Sequence, residues 1–191
     1  MMLTWLGADA PLLEGARVVL GERRTRATGA LVASATVEQP AYSATYSLAT
    51  GETGVVSRVS VRAVNADGEH QVTLNRSEDG IWLVDHGQGA ERTDFDGAVD
   101  VDVSACVLFN AIPVRRLGLH RAAGEHELYV VRVQLPDLSV RLVRQTYRSV
   151  EPAGPNGGPA VVSFRQGDFT ADLVVDDEGL VLDYPGLAKR I

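Results

Sequence analysis

Val-rich segments with alternating apolar and polar positions recur along this chain between short turn sequences. In Gly54–Val64, Val59 and Val61 alternate with arginine and serine, as expected for a strand with one buried face. The separating residues, mostly Gly, Asn and Asp, tolerate the left-handed backbone of tight hairpins. The pattern predicts strands at Gly54–Val64, His126–Leu135, Leu138–Val150, Ala160–Gln166, Phe169–Val175 and Leu180–Tyr184.

Many hairpin-joined strands must curl, close or be covered, because exposed strand edges invite aggregation. We therefore predict one all-β domain over residues 1–191, an antiparallel barrel, half-barrel or β-roll with at most short helical turns. Ser104–Pro113 is apolar without clean alternation, so a helical turn or an irregular crossing fits it as well as a strand. The Gly/Pro-rich segment Ala153–Pro159 is predicted to be a long hairpin tip.

Composition narrows the class of partner. The 191 residues carry a net charge of −7, which argues against a nucleic-acid binder or a polybasic membrane-surface protein. The one cysteine, Cys106, cannot form an internal disulfide, and the N-terminus lacks a basic start followed by a long apolar run. No stretch has the apolar length of a bilayer span. These features predict a cytoplasmic protein without a secretion signal or transmembrane segment, as a monomer or homodimer.

A row of carboxylates from Asp94 to Asp102 leads into the arginine pair Arg115 and Arg116. If the row formed one strand, its aspartates would share a face, but Gly97 can introduce a bulge or turn. Only Asp100 and Asp102 are therefore secure same-face neighbours, roughly 6.5–7 Å apart along a strand. Adjacent strand residues face opposite sides, so we expect one arginine to be the main partner of the aspartates.

Three segments resemble the signature segments of the putative glycolipid-binding family of bacterial proteins. They are VDVDVSACVLFNAIPVRRLGL (Val99–Leu119), the QTY of Gln145–Tyr147 and FTADLVVDDEGLVLDYPGL (Phe169–Leu187), and Trp5 and Trp82 also match. The resemblance implies a barrel-like or half-barrel fold similar to bacterial lipoprotein carriers, with glycolipid binding. The family usually carries Thr-Pro and a further Thr before the Asn, where this chain has Ala105–Phe109, so either a pocket here would be more apolar or the ligand would differ.

Our first functional hypothesis is a binding module without catalysis or a cofactor. The apolar concave side of the curved sheet would hold the chain of a glycolipid or other amphiphile, and a polar cluster would fix its headgroup. Tyr184 ends the last predicted strand, and Gln145 and Tyr147 share a strand face; tyrosines of this kind line cavities or complete cores. The candidate ligand-binding residues are Asp100, Asp102, Asn110, Arg115, Arg116, Gln145, Tyr147 and Tyr184.

Two alternatives stay open. A hydrolase could use Asp100 and Asp102, although two residues on one strand face cannot easily flank a scissile bond. A structural or interaction protein could use the Asp–Arg cluster to lock a crossing of the chain. The absence of a nucleotide-binding glycine loop or nucleophile elbow counts against an enzyme. A metal site is not expected, because the histidines lack ligand spacing: His70, His86, His120 and His126.

Overall fold

Fifteen β-strands dominate the structure, a computed structural model that describes residues 1–9, 11–37, 40–154 and 157–191. One ten-residue helix, α1, spans Leu108–Leu117. The strands are β1 Met2–Gly7, β2 Leu12–Leu20, β3 Thr25–Ala33, β4 Tyr42–Thr50, β5 Val56–Asn65, β6 Gly68–Arg76, β7 Trp82–Asp85, β8 Ala90–Thr93, β9 Asp100–Val103, β10 Glu125–Val133, β11 Val140–Glu151, β12 Ala160–Gln166, β13 Phe169–Val175, β14 Val181–Tyr184 and β15 Ala188–Arg190.

All the strands belong to one sheet. Its order runs from β8 down to β1, continues through β15 and β14, and descends to β10 and β9. Neighbouring strands are antiparallel except β9 and β10, which are parallel. The sheet is strongly curved but not closed into a barrel, and β5 meets the start of β9 through one backbone hydrogen bond, Val56 N to Val99 O at 3.0 Å. The predicted all-β fold is confirmed, in its open form.

The predicted strands are all present, because their apolar positions alternate with the period of the pleat. β12 and β13 have the predicted bounds, and the other four differ by a few residues at their ends. Pro155 and Asn156, in the predicted hairpin tip, lie outside the described residues.

The carboxylate row is not one strand. A 3-10 turn at Phe95–Gly97 interrupts it, and Gly97 has φ of +76°, so Asp94 and Asp96 lie in a turn. β9 begins at Asp100, which leaves Asp100 and Asp102 as the pair on a common strand, as the glycine had suggested.

Helix α1 fills the inside of the curve. Seven of its residues, Leu108 to Val114, are buried, and the Phe109 ring meets the Tyr46 ring of β4 edge-on at 5.1 Å between centroids. The helix ends at Gly118, whose left-handed φ of +70° lets its N–H return to the Arg115 carbonyl. We call the side of the sheet that packs on α1 the inner face and the opposite side the outer face.

A buried glutamate from β2 caps the start of α1, where the chain offers no local side-chain cap. The carboxylate of Glu14 accepts hydrogen bonds from the Val107 N–H and from the Tyr46 hydroxyl, both at 2.5 Å. A carboxylate at a helix N-terminus is favoured by the helix dipole. Tyr46 reaches Glu14 by crossing Gly29, where an added Cβ would lie 2.3 Å from the tyrosine ring. Burial nevertheless raises the pKa of Glu14 to about 7.

Candidate functional site

The two aspartates of β9 have different arginine partners. Asp100 is held by Arg116, whose Nε lies 3.1 Å from Oδ1 and whose Nη2 lies 2.5 Å from Oδ2. This forked pair is almost sealed, since 1% of the Asp100 side chain and 15% of the Arg116 side chain are exposed. Asp102 instead pairs with Arg132 of β10, its direct neighbour in the parallel register.

One arginine of the pair reaches the aspartates, as predicted, but it binds Asp100 alone, and the two arginines diverge for a different reason. Arg115 and Arg116 lie in the last turn of α1 and not on a strand, so their side chains diverge by the helical turn angle of about 100°. Arg116 reaches Asp100. Arg115 donates to the carbonyl oxygens of Glu178 and Gly21, the latter at 3.2 Å, and lies 3.3 Å from the Glu178 carboxylate.

Asp102 belongs to a buried polar network on the inner face. Its Oδ2 accepts from Arg132 Nη1 and from Gln145 Nε2, the latter at 2.9 Å. The network extends inward, because the Tyr147 hydroxyl donates to Gln145 Oε1 at 3.2 Å and accepts from Asn110 Nδ2 at 3.0 Å. The structure therefore brings four predicted residues into one connected set: Asp102, Asn110, Gln145 and Tyr147.

The network opens to solvent at a pocket of about 290 Å³. We call it the Arg132 pocket, and its lining residues are Arg132, Phe164, Gln166, Phe169 and Tyr184. The three rings form one cluster with centroids 6.1 to 6.3 Å apart. Phe169 is 51% exposed, an unusual state for an aromatic side chain at the end of a hairpin.

The polar wall of the pocket has hydrogen-bonding capacity to spare. Arg132 directs Nη1 at Asp102 and at Gln166 Oε1, the latter at 3.3 Å, whereas its buried Nε has no partner among the described residues. Gln166 Oε1 also accepts from Gln145 at 2.8 Å, which turns the amide nitrogen of Gln166 away from the network. A buried unpaired donor is costly unless water or a ligand supplies an acceptor.

Burial controls the protonation of the network. It raises the pKa of the Asp102 carboxyl, against the opposing effect of the Arg132 charge. Burial also raises the pKa of the Tyr147 and Tyr184 phenols, so both keep their hydroxyl protons and can donate hydrogen bonds at neutral pH. The site therefore offers several neutral donors and one arginine fork beside an aromatic surface.

Four residues of the pocket are absent from the candidates predicted from the sequence: Arg132, Phe164, Gln166 and Phe169. Arg132 had a detectable signal, because it is the one charged residue within the apolar run Val130–Val133 and shares its parity with Val130. Gln166 and Phe169 gave none, since they flank an ordinary hairpin turn. Their contact with Arg132 depends on the curvature that brings β12 and β13 over β10.

The remaining chemistry of the described chain is sparse. No group of three or more His, Cys, Asp or Glu side chains in this part is placed to hold a metal ion. Cys106 is buried, and burial raises the pKa of its thiol. Asp100 and Asp102 are each engaged by their own arginine, which gives no support to paired-carboxylate hydrolysis.

Comparisons with known proteins agree with this architecture. The fold and the pocket define an all-β protein with an open, curved sheet and a polar and aromatic cavity at one end. A model of the family described as "Putative glycolipid-binding" matches residues 2–190, and the chain belongs to that family. A search of curated proteins finds no match.

One solved structure is similar over nearly its whole length. It is the crystal structure of a DUF1089 family protein, PA1994, from Pseudomonas aeruginosa. The TM-score is 0.74 and the sequence identity is 25%, with 93% of this chain and 92% of that chain covered. In the described part of the present chain, no helix combines the length and apolarity needed to cross a membrane.

Proposed function

We propose that this protein binds the headgroup of an amphiphile, such as a glycolipid, in the Arg132 pocket and performs no chemistry on it. The observation that carries the proposal is that the buried Arg132 Nε, which has no partner among the described residues, lies beside an aromatic cluster whose Phe169 ring is half exposed. The family description gives the ligand class its support. A cytoplasmic location and a monomeric or homodimeric state remain parts of this proposal.

The chemistry of the pocket suits a sugar-like headgroup. A sugar ring has C–H groups on its faces and hydroxyls around its edge, so the rings of Phe169 and Tyr184 can cover a face. Arg132 and the Gln166 amide can then bind hydroxyl or phosphate oxygens at the edge. Asp102 and Gln145 would hold Arg132 in place from behind and would not touch the ligand.

The size of the pocket limits what it takes. Its volume of about 290 Å³ lies at the lower end of the range for drug-sized ligands, roughly 300–1,000 Å³. A headgroup fits this volume better than a complete lipid. The sequence pattern favoured an acyl chain inside the curve, but α1 and the core side chains occupy that space. The proposal therefore places the bound group at the open end of β10–β14.

Binding is tested by thermal shift and calorimetry with alkyl glycosides, alkyl phosphates and alkyl polyethers that have the same chain length. We expect the glycosides or phosphates to raise the melting temperature, and the polyether, which has the tail without the headgroup, to have no effect. Equal responses to all three would show that the tail alone is recognised and would refute headgroup binding.

Two variants locate the site. Arg132→Met removes the donors and Phe169→Ala removes the exposed ring, and each is expected to weaken headgroup binding at least tenfold, about 1.4 kcal/mol. Arg165→Met is the control, because this arginine is exposed on the outer face of β12. Unchanged affinity in both pocket variants, with intact folding, would exclude the Arg132 pocket.

A further inference from the structure

The outer face of β1–β5 carries positive charge without any negative charge. The strand positions that face outward there include four arginines, Arg17, Arg26, Arg58 and Arg62, and no aspartate or glutamate. This is unexpected in a chain with 25 acidic and 18 basic residues. The nearest acid across the strands, Glu69 of β6, pairs with Arg62.

The outer face of β10–β13 shows that this charge separation is local. Its outward positions contain three arginines and four acids: Arg144, Arg148, Arg165, Glu125, Glu127, Glu151 and Asp172. Arg144 lies 3.8 Å from Glu127, so the charges on that half compensate one another. One half of the sheet therefore carries a basic region, although the net charge of the chain is −7.

Two of the basic side chains have no partner within the described chain. Arg17 and Arg26 make no hydrogen bond or ion pair there, whereas Arg58 donates to Asn75 at 2.8 Å. With Val19, Thr28 and Ser47 these three arginines line a depression of about 440 Å³. Three guanidinium groups around one depression attract a phosphate or another anion.

Aliphatic side chains stand beside the arginines on the same face. Leu6, Leu13 and Val32 lie directly opposite one another across β1, β2 and β3, and each is about half exposed. Met2 and Val19 are also exposed, next to Arg17 and Arg26. Adjacent aliphatic and basic side chains are the combination that binds the boundary between lipid headgroups and acyl chains.

We propose that the outer face of β1–β5 docks the protein onto the surface of a bilayer that contains anionic lipid. The positive charge favours an anionic surface over a neutral one. The exposed aliphatic row favours a bilayer over nucleic acid, because phosphate binding needs cationic side chains and not aliphatic ones. Docking is distinct from headgroup binding, because it uses the opposite face of the sheet and other residues. It also reverses the expectation that a net negative charge disfavours a membrane surface.

Vesicle flotation tests the docking. Wild-type protein is expected to float with vesicles of phosphatidylcholine and phosphatidylglycerol, to float less as salt is raised, and to stay below with phosphatidylcholine alone. The triple variant R17Q/R26Q/R58Q is expected to bind on the order of 100-fold more weakly, since each basic residue near the surface contributes several-fold. The proposal would be overturned if phosphatidylglycerol in the vesicles did not increase the flotation of the wild-type protein.

The matched control is R144Q/R148Q/R165Q, which removes the same charge from the compensated half of the sheet. It is expected to float like the wild type, and an equal loss in both triple variants would show that only total charge matters. R17K/R26K/R58K keeps the three positive charges and should bind vesicles like the wild type if charge is the cause. L13S/V32S should weaken the part of the binding that persists at high salt. Loss of binding in the lysine variant, or none in L13S/V32S, would contradict the mechanism.

Two further measurements check the folding of the variants and the class of partner. All these side chains are exposed, so the melting temperatures of the variants should match that of the wild type. If the triple variant is unfolded, the single variants Arg17→Gln and Arg26→Gln replace it. Headgroup-induced thermal shifts should be unchanged in R17Q/R26Q/R58Q, because the Arg132 pocket is intact. Tighter binding of wild-type protein to duplex DNA or polyglutamate than to anionic vesicles would assign the face to another partner and overturn the proposal.

Discussion

Asp100 and Asp102 lie two residues apart on β9, point the same way and each pair with an arginine, yet their surroundings differ. Asp100 and Arg116 join β9 to the end of α1 and are closed in, with Gly54 leaving no space above the Arg116 stem. Asp102 and Arg132 join two neighbouring strands, and Arg132 borders an open pocket. One pair is internal to the fold, and the other faces a space that a ligand can enter.

This difference separates an enclosed ion pair from one that borders a cavity. Arg116 directs Nε and Nη2 at the two oxygens of Asp100, and this pair is almost sealed and borders none of the cavity lined by Arg132. Arg132 uses one nitrogen on the network and keeps a buried Nε without a partner among the described residues. The proposed role of Arg132 therefore rests on a spare donor beside a cavity, and not on burial or pairing alone.

The largest expected effect on stability is at the enclosed Asp100–Arg116 pair. Arg116→Ala leaves Asp100 buried without its cation, and we expect a loss of about 3–5 kcal/mol in the free energy of unfolding. Chemical denaturation measures it. Arg115→Ala is the control from the next helical position, and it removes hydrogen bonds mainly to carbonyl oxygens, so about 1–2 kcal/mol is expected. Equal losses would contradict the special position of Arg116.

Glu14 extends the comparison to a buried carboxyl with no arginine. Its pKa is about 7 in the folded protein against an ordinary 4.5, so its stabilising contribution is complete below pH 4.5 and is lost as pH rises through about 7. The difference corresponds to roughly 3 kcal/mol at about 1.4 kcal/mol for each pKa unit. Unfolding measured at several pH values should show it.

Glu14→Gln provides the reference for that measurement, because glutamine does not ionise. The stability of the wild type relative to this variant should fall between pH 4.5 and 7 and stay level above that range. A constant difference across the range would mean that Glu14 ionises normally, with the Tyr46 hydroxyl and the N-terminus of α1 offsetting its burial.

A smaller loss of stability is expected at the Asp102–Arg132 pair, which borders the pocket. Arg132→Ala should cost about 1–3 kcal/mol, because Gln145 still binds Asp102 and burial already favours the protonated carboxyl. Chemical denaturation of Arg132→Ala and Arg116→Ala in parallel gives the ratio of the two losses in the free energy of unfolding. A cost as large as that of Arg116→Ala would show that the Arg132 pair is as structural as its neighbour.

The smallest effect on stability is expected at the exposed edge of the pocket. Phe169→Ala should change the free energy of unfolding by less than about 1 kcal/mol, because half of the ring already faces water. Phe164→Ala is the matched comparison within the same aromatic cluster and should cost about 3–5 kcal/mol, since Phe164 is buried. Similar losses in denaturation would show that Phe169 serves the core.

The sequence was sufficient for much of the fold but for only part of the site. Alternating Val positions predicted β12 and β13 to the residue, and Gly97 correctly separated Asp100 and Asp102 from the acids before it. Helix α1 was harder, because its apolar residues are buried all round and show no amphipathic period. Its arginines were therefore expected on a strand.

Local pattern by itself determined the six predicted strands, their faces and the pair of aspartates, because side-chain alternation depends only on neighbours along the chain. Tertiary structure alone decided which arginine meets which aspartate, that Glu14 caps α1 across 93 residues, and that Phe169 and Gln166 border Arg132. It also decided that the basic side chains of β2, β3 and β5 gather on one face. These contacts follow from the curvature and register of the whole sheet, which no single segment encodes.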